Sequence, residues 1–497
     1  MRENDWNELE ELLADGLPDL PPEEIVRSVT PWRRAMDRVL TGSALRAVTL
    51  SLFGLQYLLP ALGTLLLLLG YRALRRENRW FRACFVLAVV ETAYSIPLLA
   101  LNTSSVYAPQ ILTPTVSQVL TVLEAGLLLT QFLCLWRGLL AVQGRAGLPP
   151  KANAALGIAA WYAALCLSAR LGWQGWLWGI PMLAGYVFLL RSLFRLSRTL
   201  EEAGYVLRPA PVRLPDRWLA LGLAAVLALG CFCGYRFGSR YPMDWQPRDA
   251  AGTQETEAIR DHLLSLGFPE DVLRDLSPED LAACDGAIRV VVDTIDLPMN
   301  KGRRVATRTN RGDNVFIDTV YDVRELRVTG VGVEVPGEHS TWVLFHHFRW
   351  RADPVCRGTE ALQLRPEGYG DRRYWSMTGF LTGRLLYDQD GETFTAPYAY
   401  LESPGGEESY VAYAAYSLPR KGENCRGYLR YAIEAAREGA IVADYLSFTH
   451  QLSWRQYPAR TALEEQMRRS WLEPAAFRTS YDSLQFYPTP EGVRLIG

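Results

Sequence analysis

Two carboxylates stand where a charge is costly. Glu91 lies inside an apolar run from 81 to 101, and Glu124 inside one from 111 to 141. A carboxylate at that depth of a membrane helix faces a bundle interior or a cavity and needs a partner. Arg137 follows Glu124 on the same run and is the candidate counter-charge, with Tyr94 and Gln118 as polar neighbours. Two chemistries fit: a cation or proton site, or a hydrogen-bonded contact between helices.

The five histidines give less. His346 and His347 are adjacent in an alternating stretch, so they point to opposite faces and cannot easily share a metal. His346 falls with Trp342, Leu344, Phe348 and Trp350, and His450 with Leu446 and Phe448. Buried, hydrogen-bonded histidines are expected, with no metal site. Nothing in the chain matches a nucleophile elbow, a zinc-protease helix, a P-loop or a dinucleotide fingerprint. No catalytic residue and no cofactor is therefore assigned. Arg311-Gly312-Asp313 reads as a surface turn.

Of eight cysteines, Cys84, Cys134, Cys166, Cys231 and Cys233 lie in apolar runs, where such residues pack as small side chains. Cys284, Cys356 and Cys425 lie in the polar half. A Cys356–Cys425 bridge is expected if that half is exported. The same half is rich in aromatics. Tyr374, Trp375, Tyr410 and Tyr413 would suit a platform for a glycan or peptide, and equally a β core.

The elements that must hold these residues divide the chain in two. A mean hydropathy of −0.02 averages an apolar half with a polar one. Apolar runs at 45–70, 81–101, 111–141, 152–170, 172–194 and 217–236 are each near the length needed to span a bilayer. Pro60 falls inside the first, where it would kink the helix or make the segment re-entrant. The fourth and fifth are nearly continuous and read as a tight hairpin.

Arginine placement sets the orientation. Arg72, Arg75, Arg76 and Arg79 follow the first run, Arg145 and Lys151 the third, and Arg195, Arg198, Arg208, Arg213 and Arg217 the fifth. The loop from 102 to 110 has no basic residue. The polar half then lies outside the cytoplasm, although Arg236 and Arg240 count against it. Arg33, Arg34, Arg38 and Arg46 make the other flank of the first run basic too. Six crossings are the reading adopted, with a re-entrant first run and five crossings as the alternative.

The tail, 1–44, carries Trp6, Leu9, Leu12 and Leu13 at helical spacing, a surface for a cytoplasmic partner. Nothing in it reads as a cleavable signal. Thr30 and Pro31 open a second helix, with Trp32, Met36, Val39 and Leu40 among arginines, as in a helix at the headgroup level or a plain linker.

Residues 241–287 read as a linker and three short helices, the last capped by Ser277. From 288 to 497 the pattern alternates: strands are expected over 288–292, 314–323, 326–333, 341–351, 375–387, 393–400, 409–418, 428–434 and 440–454. A helix over 460–472 and a hairpin over 484–496 close the chain. The fold class is thus a multi-pass α-helical membrane bundle of about six spans over 45–240, followed by a mainly-β domain, an antiparallel sandwich of jelly-roll kind.

Pro31-Trp32-Arg33-Arg34-Ala35-Met36, with the run after it and Leu74-Arg75-Arg76-Glu77-Asn78-Arg79-Trp80-Phe81, resembles a group of uncharacterised multi-pass membrane proteins of Gram-positive, clostridia-like bacteria. The resemblance covers the first hundred residues or so. It implies a bacterial plasma membrane and no activity.

Three functions follow as expectations. The first is a non-enzymatic membrane protein whose external β domain binds a glycan, peptide or partner, with a sensing role. The second is an ion- or proton-coupled transporter using Glu91 and Glu124. The third is an anchored extracytoplasmic hydrolase. A net charge of −2 gives no ground for nucleic-acid binding.

Overall fold

The computed structural model describes residues 30–47, 55–173, 176–207, 213–248, 254–308, 315–337, 339–366, 375–403, 411–435, 441–468, 476–489 and 492–495. The helix expected over Trp6 to Leu13 and the Arg311-Gly312-Asp313 turn lie outside the described residues. The chain divides into two compact units: one spans 1–101 with 109–232, and the other 102–108 with 233–497.

The first unit is helical. Its elements are α1 (Pro31–Ala47), α2 (Leu55–Leu74), α3 (Arg79–Leu101), then α4 (Tyr107–Ile111), which stands at the unit boundary, α5 (Pro114–Arg145), α6 (Asn153–Arg170), α7 (Trp176–Glu202) and α8 (Asp216–Phe237). Among the described residues α2, α3, α5, α7 and α8 are long and apolar enough to cross a membrane. The fourth expected run, α6, is 18 residues long and is not apolar enough to join them. Pro60 stands within α2, which stays helical around it. The turn after α6 uses Gly172 at φ +71°.

The helix expected at the headgroups is instead packed into the bundle. Trp32, Met36, Val39 and Leu40 on α1 are fully buried. α1 and α2 run antiparallel at backbone contact. A Cβ on Gly42 would stand 2.7 Å from the Gly63 carbonyl oxygen, and one on Gly70 would stand 2.9 Å from that of Ala35. Small residues let helices approach this closely.

Both basic flanks therefore lie at one end of the unit. Asp216, opening α8, takes a hydrogen bond from Arg38 at 2.7 Å and from Arg72 at 3.4 Å. Trp32 Nε1 donates to the Ser197 carbonyl at 3.3 Å, and the Tyr205 hydroxyl to Glu77 at 2.5 Å.

The second unit is built on antiparallel sheets. In chain order come β1 (Gln246–Pro247), α9 (Gln254–Ser265), α10 (Glu270–Asp275), α11 (Pro278–Ala282), β2 (Arg289–Leu297), β3 (Arg303–Arg308), β4 (Val315–Val320), β5 (Leu326–Val335), β6 (Thr341–Trp350), β7 (Thr359–Pro366), β8 (Trp375–Gln389), β9 (Glu392–Ala396), β10 (Tyr400–Glu402), β11 (Ala412–Ser417), β12 (Glu423–Ala435), β13 (Val442–Gln451), α12 (Ala462–Met467), β14 (Phe477–Thr489) and β15 (Gly492–Leu495).

One sheet has the order β1-β9-β8-β12-β6-β5-β2 and another β10-β11-β7-β13-β14-β15, while β3 and β4 form a separate pair. Trp342, Phe348 and Tyr431 from the first sheet and Phe448, Leu446 and Phe486 from the second share one core. The three short helices cover the other face of the first sheet, Leu263, Val272 and Leu281 packing with Val331, Phe345 and Tyr428.

Short-range signals set several of these ends, the expected Ser277 cap among them. Ser277 caps α11, and Thr461 with Glu464 forms a capping box on α12. Asp390 and Gly391 both take positive φ in the β8–β9 turn, the geometry a two-residue hairpin requires.

Candidate functional site

In the helical unit Glu91 and Glu124 do come together, on a cation that sequence reasoning counted only as a topology signal. Arg46, near the end of α1, forms an ion pair with Glu91 and stands 3.3 Å from Glu124. Thr64 on α2 donates to Glu91 at 3.4 Å. The Gly42–Gly63 contact brings Arg46 alongside α2 and so within reach of α3 and α5. Tyr186 on α7 steadies that end of α1 through a 2.8 Å bond to the Ser43 carbonyl.

Arg137 takes no part. Its guanidinium lies 4.6 Å over the ring of Trp136. Thirteen helical residues separate it from Glu124, a rise of roughly 20 Å. The Glu91 side chain is 5% exposed and that of Glu124 56%. The cluster therefore holds one buried ion pair and one carboxylate open to the outside of the unit. Arg46 gives the buried Glu91 a fixed partner, which a contact between helices requires.

The β unit contains three buried histidine–carboxylate pairs. His346 points into the shared core and bonds Asp444 of β13 at 2.5 Å, linking the two sheets. His347 points the other way and bonds Asp275 of α10 at 2.9 Å. Asp275 also accepts from Arg426 at 3.0 Å, and Arg426 reaches Asp388 at 3.0 Å. Burial pushes the Asp275 carboxyl up, but His347 and Arg426 outweigh it and hold the group below 3.8. His450 bonds Glu360, its register partner on β7, at 2.7 Å. Burial keeps the Glu360 carboxyl above its ordinary range, against the pull of His450.

His450 also lines a cleft of about 530 Å³, a volume in the range of small-ligand sites. Trp350, Leu452, Asn300 and Cys356 line it with Asp322, Glu325 and Asp353. Each carboxylate is already engaged. Arg303 bonds Asp322 at 3.2 Å, the Met299 amide bonds Glu325 at 2.8 Å, and Arg357 pairs with Asp353 at 3.0 Å. The cleft was not legible in sequence, because its walls come from segments up to 150 residues apart.

Cys356 and Cys425 are free thiols rather than a bridge. Cys425 is buried in the shared core, and Cys356 is half-buried on the cleft. Burial pushes the Cys425 thiol up to about 12.

Tyr374 and Tyr410 lie outside the described residues. Trp375 and Tyr413 stand on different sheets and pack against different apolar clusters, so the structure does not bring them together.

No family model matches this chain, and no curated protein matches it. Solved structures give weak likenesses. One described as a pore forming protein is 8% identical with a TM-score of 0.18, over 37% of this chain and 96% of that one. The Clostridium perfringens delta-toxin is 8% identical at 0.18, over 42% and 93%. The collagen binding domain of the Erysipelothrix rhusiopathiae surface protein RspB is 10% identical at 0.16, over 39% and 79%. Likenesses at these scores say nothing of what the chain does.

Proposed function

We propose that the chain is a multi-pass protein of a bacterial plasma membrane, whose helical bundle anchors an extracytoplasmic β-sandwich that binds a ligand or partner. One observation carries the reading. Residues 102–108 and the chain from 233 onward belong to a single unit. Val106 donates to the Gly238 carbonyl at 3.0 Å, and Ala459 to that of Asn102 at 2.7 Å. The loop with no basic residue and the β domain are thus on one side of the membrane, and by the arginine rule that side is outside.

The same contact constrains the crossings. Between 108 and 233 the chain passes through α5, α6, α7 and α8. Returning to the same side takes an even number of crossings, so α6 crosses as well. The α1–α2 pair, with both flanks at the basic end, is best read as re-entrant. Five crossings remain: α3, α5, α6, α7 and α8. The adopted count of six is replaced by the alternative.

The ligand class proposed is a glycan or peptide segment held in the cleft of Trp350, His450 and Cys356. The test uses Cys356 in whole cells. A membrane-impermeant maleimide labels it, Cys356→Ser removes that label, and muropeptide or a peptide pool slows labelling. Labelling only after permeabilisation would overturn the external assignment. Labelling that no glycan or peptide slows would overturn the cleft.

The transporter reading rests on Glu91 and Glu124 sharing Arg46. It requires that Glu124→Gln abolish a cation- or proton-dependent flux while the protein still assembles.

A further inference from the structure

The end of the β unit from which the chain enters the helices is rich in arginines. Two segments define that end. One is 102–108, between α3 and α5. The other is the final turn of α8, where Tyr235 packs edge-on against Trp454 at 5.6 Å and its hydroxyl donates to the Gln456 carbonyl.

Arg240 follows directly and is half-buried. It donates to the carbonyls of Arg357 and Leu418. Its charged neighbours include Arg420, Arg357 and Arg236; burial and these cations depress it to about 10. Of the four arginines, Arg357 has an ion pair with an acid among the described residues, Asp353 at 3.0 Å. Arg420 and Lys421 are exposed in the β11–β12 connection, and Arg455 lies 5.6 Å over the Trp454 ring. Large apolar side chains stand open between these cations: Phe237 is 66% exposed, Trp454 56%, and Val355 fully.

Cations crowded on one face raise each other's energy unless an anion lies near. A site for a free phosphate would enclose the ion among buried donors. Here most of the donors are exposed, and exposed aromatic and aliphatic groups are set among them. That mixture suits the headgroup zone, where aromatics sit at the interface and basic residues meet lipid phosphates. It also accounts for Arg236 and Arg240, the two residues that argued against an external domain.

We propose that this face, with Arg236, Arg240, Arg420, Lys421, Trp454 and Phe237, rests on the outer leaflet and binds the phosphates of anionic phospholipid headgroups. The inference depends on the membrane reading of the helical unit given above.

The test takes the full chain into nanodiscs of phosphatidylcholine alone or with added phosphatidylglycerol. Hydrogen exchange is read over 418–421 and 453–456, with 477–489 as the internal reference. Phosphatidylglycerol is expected to slow exchange in these two segments and leave the reference unchanged. In the Arg420→Gln/Lys421→Gln variant the effect needs more phosphatidylglycerol, about fivefold in apparent affinity per cation removed. Equal exchange in the two lipids would overturn the proposal, as would the same protection from inorganic phosphate added to phosphatidylcholine discs. A chain that does not enter discs at all would instead overturn the membrane reading beneath it.

Discussion

At the scale of single residues the buried charges decide stability. Asp275 joins α10 to the first sheet through His347 and Arg426. Its carboxyl titrates lower in the folded chain than its ordinary 3.8. The stabilisation it gives is therefore complete above that value and fades as pH falls through the folded pKa. Asp275→Asn leaves a buried guanidinium short of a partner and should cost about 3–5 kcal/mol at neutral pH. The gap between variant and wild type in chemical unfolding of the purified protein should narrow below 3.8; a gap that stays constant from neutral to strongly acid pH would count against this. Arg46 gives a parallel case. Arg46→Leu strands Glu91 and should lower the melting temperature in detergent, whereas Arg46→Leu/Glu91→Leu should recover much of the loss. A double variant no better than the single one would show that the pair does not act as a unit. Sequence gave the opposite facing of His346 and His347, since strand alternation fixes it. It could not give Asp444, Asp275 or Arg46 as partners. Those contacts are made across 98, 72 and 45 residues, distances at which no local periodicity carries information.

At the scale of elements, local chemistry was readable and pairing was not. The cap at Ser277 was readable because it rests on short-range hydrogen bonding. The strands β3 and β7 and the first part of β14 were missed. β7 lies between β11 and β13, and its alternating run Leu362-Gln363-Leu364-Arg365 is short and closed by Pro366. The helix α1 was read as amphipathic, which it is, but its apolar face meets α2 rather than lipid. Gly42, Gly63 and Gly70, small residues on facing positions of two helices, allow that contact. Gly63→Leu tests it. Its Cβ would stand 2.6 Å from the Gly42 carbonyl oxygen, a contact that only helix separation relieves. The variant should lose the Arg46–Glu91 pair along with the hairpin, seen as increased proteolysis between 47 and 55 and a lower melting temperature. Gly126→Leu, where a Cβ meets nothing within 4 Å, should be neutral and serves as the control.

At the scale of the whole molecule, the division into an apolar and a polar half was plain from composition, but the number of crossings was not. Two basic flanks around one apolar run contradict each other if that run crosses. They agree if α1 and α2 form a hairpin whose ends meet at Asp216. Length and hydropathy alone leave α6 in doubt, and it is the proposed membrane reading, with 102–108 bonded to Gly238 and Ala459, that requires it to cross. The proposed re-entrant pair takes the expected six crossings to five with α6 still among them, and the two points are tested together. Reporter fusions after Arg34, Gly147 and Gly204 should be cytoplasmic, and fusions after Tyr107, Gly172 and Gly497 external. An external fusion at Arg34 with the rest unchanged would restore a crossing for α2 and remove the hairpin. Gly147 and Gly172 on the same side would take the crossing from α6. The loop at 102–108 and the β domain would then face opposite sides, which the bonds to Gly238 and Ala459 do not permit in one folded chain.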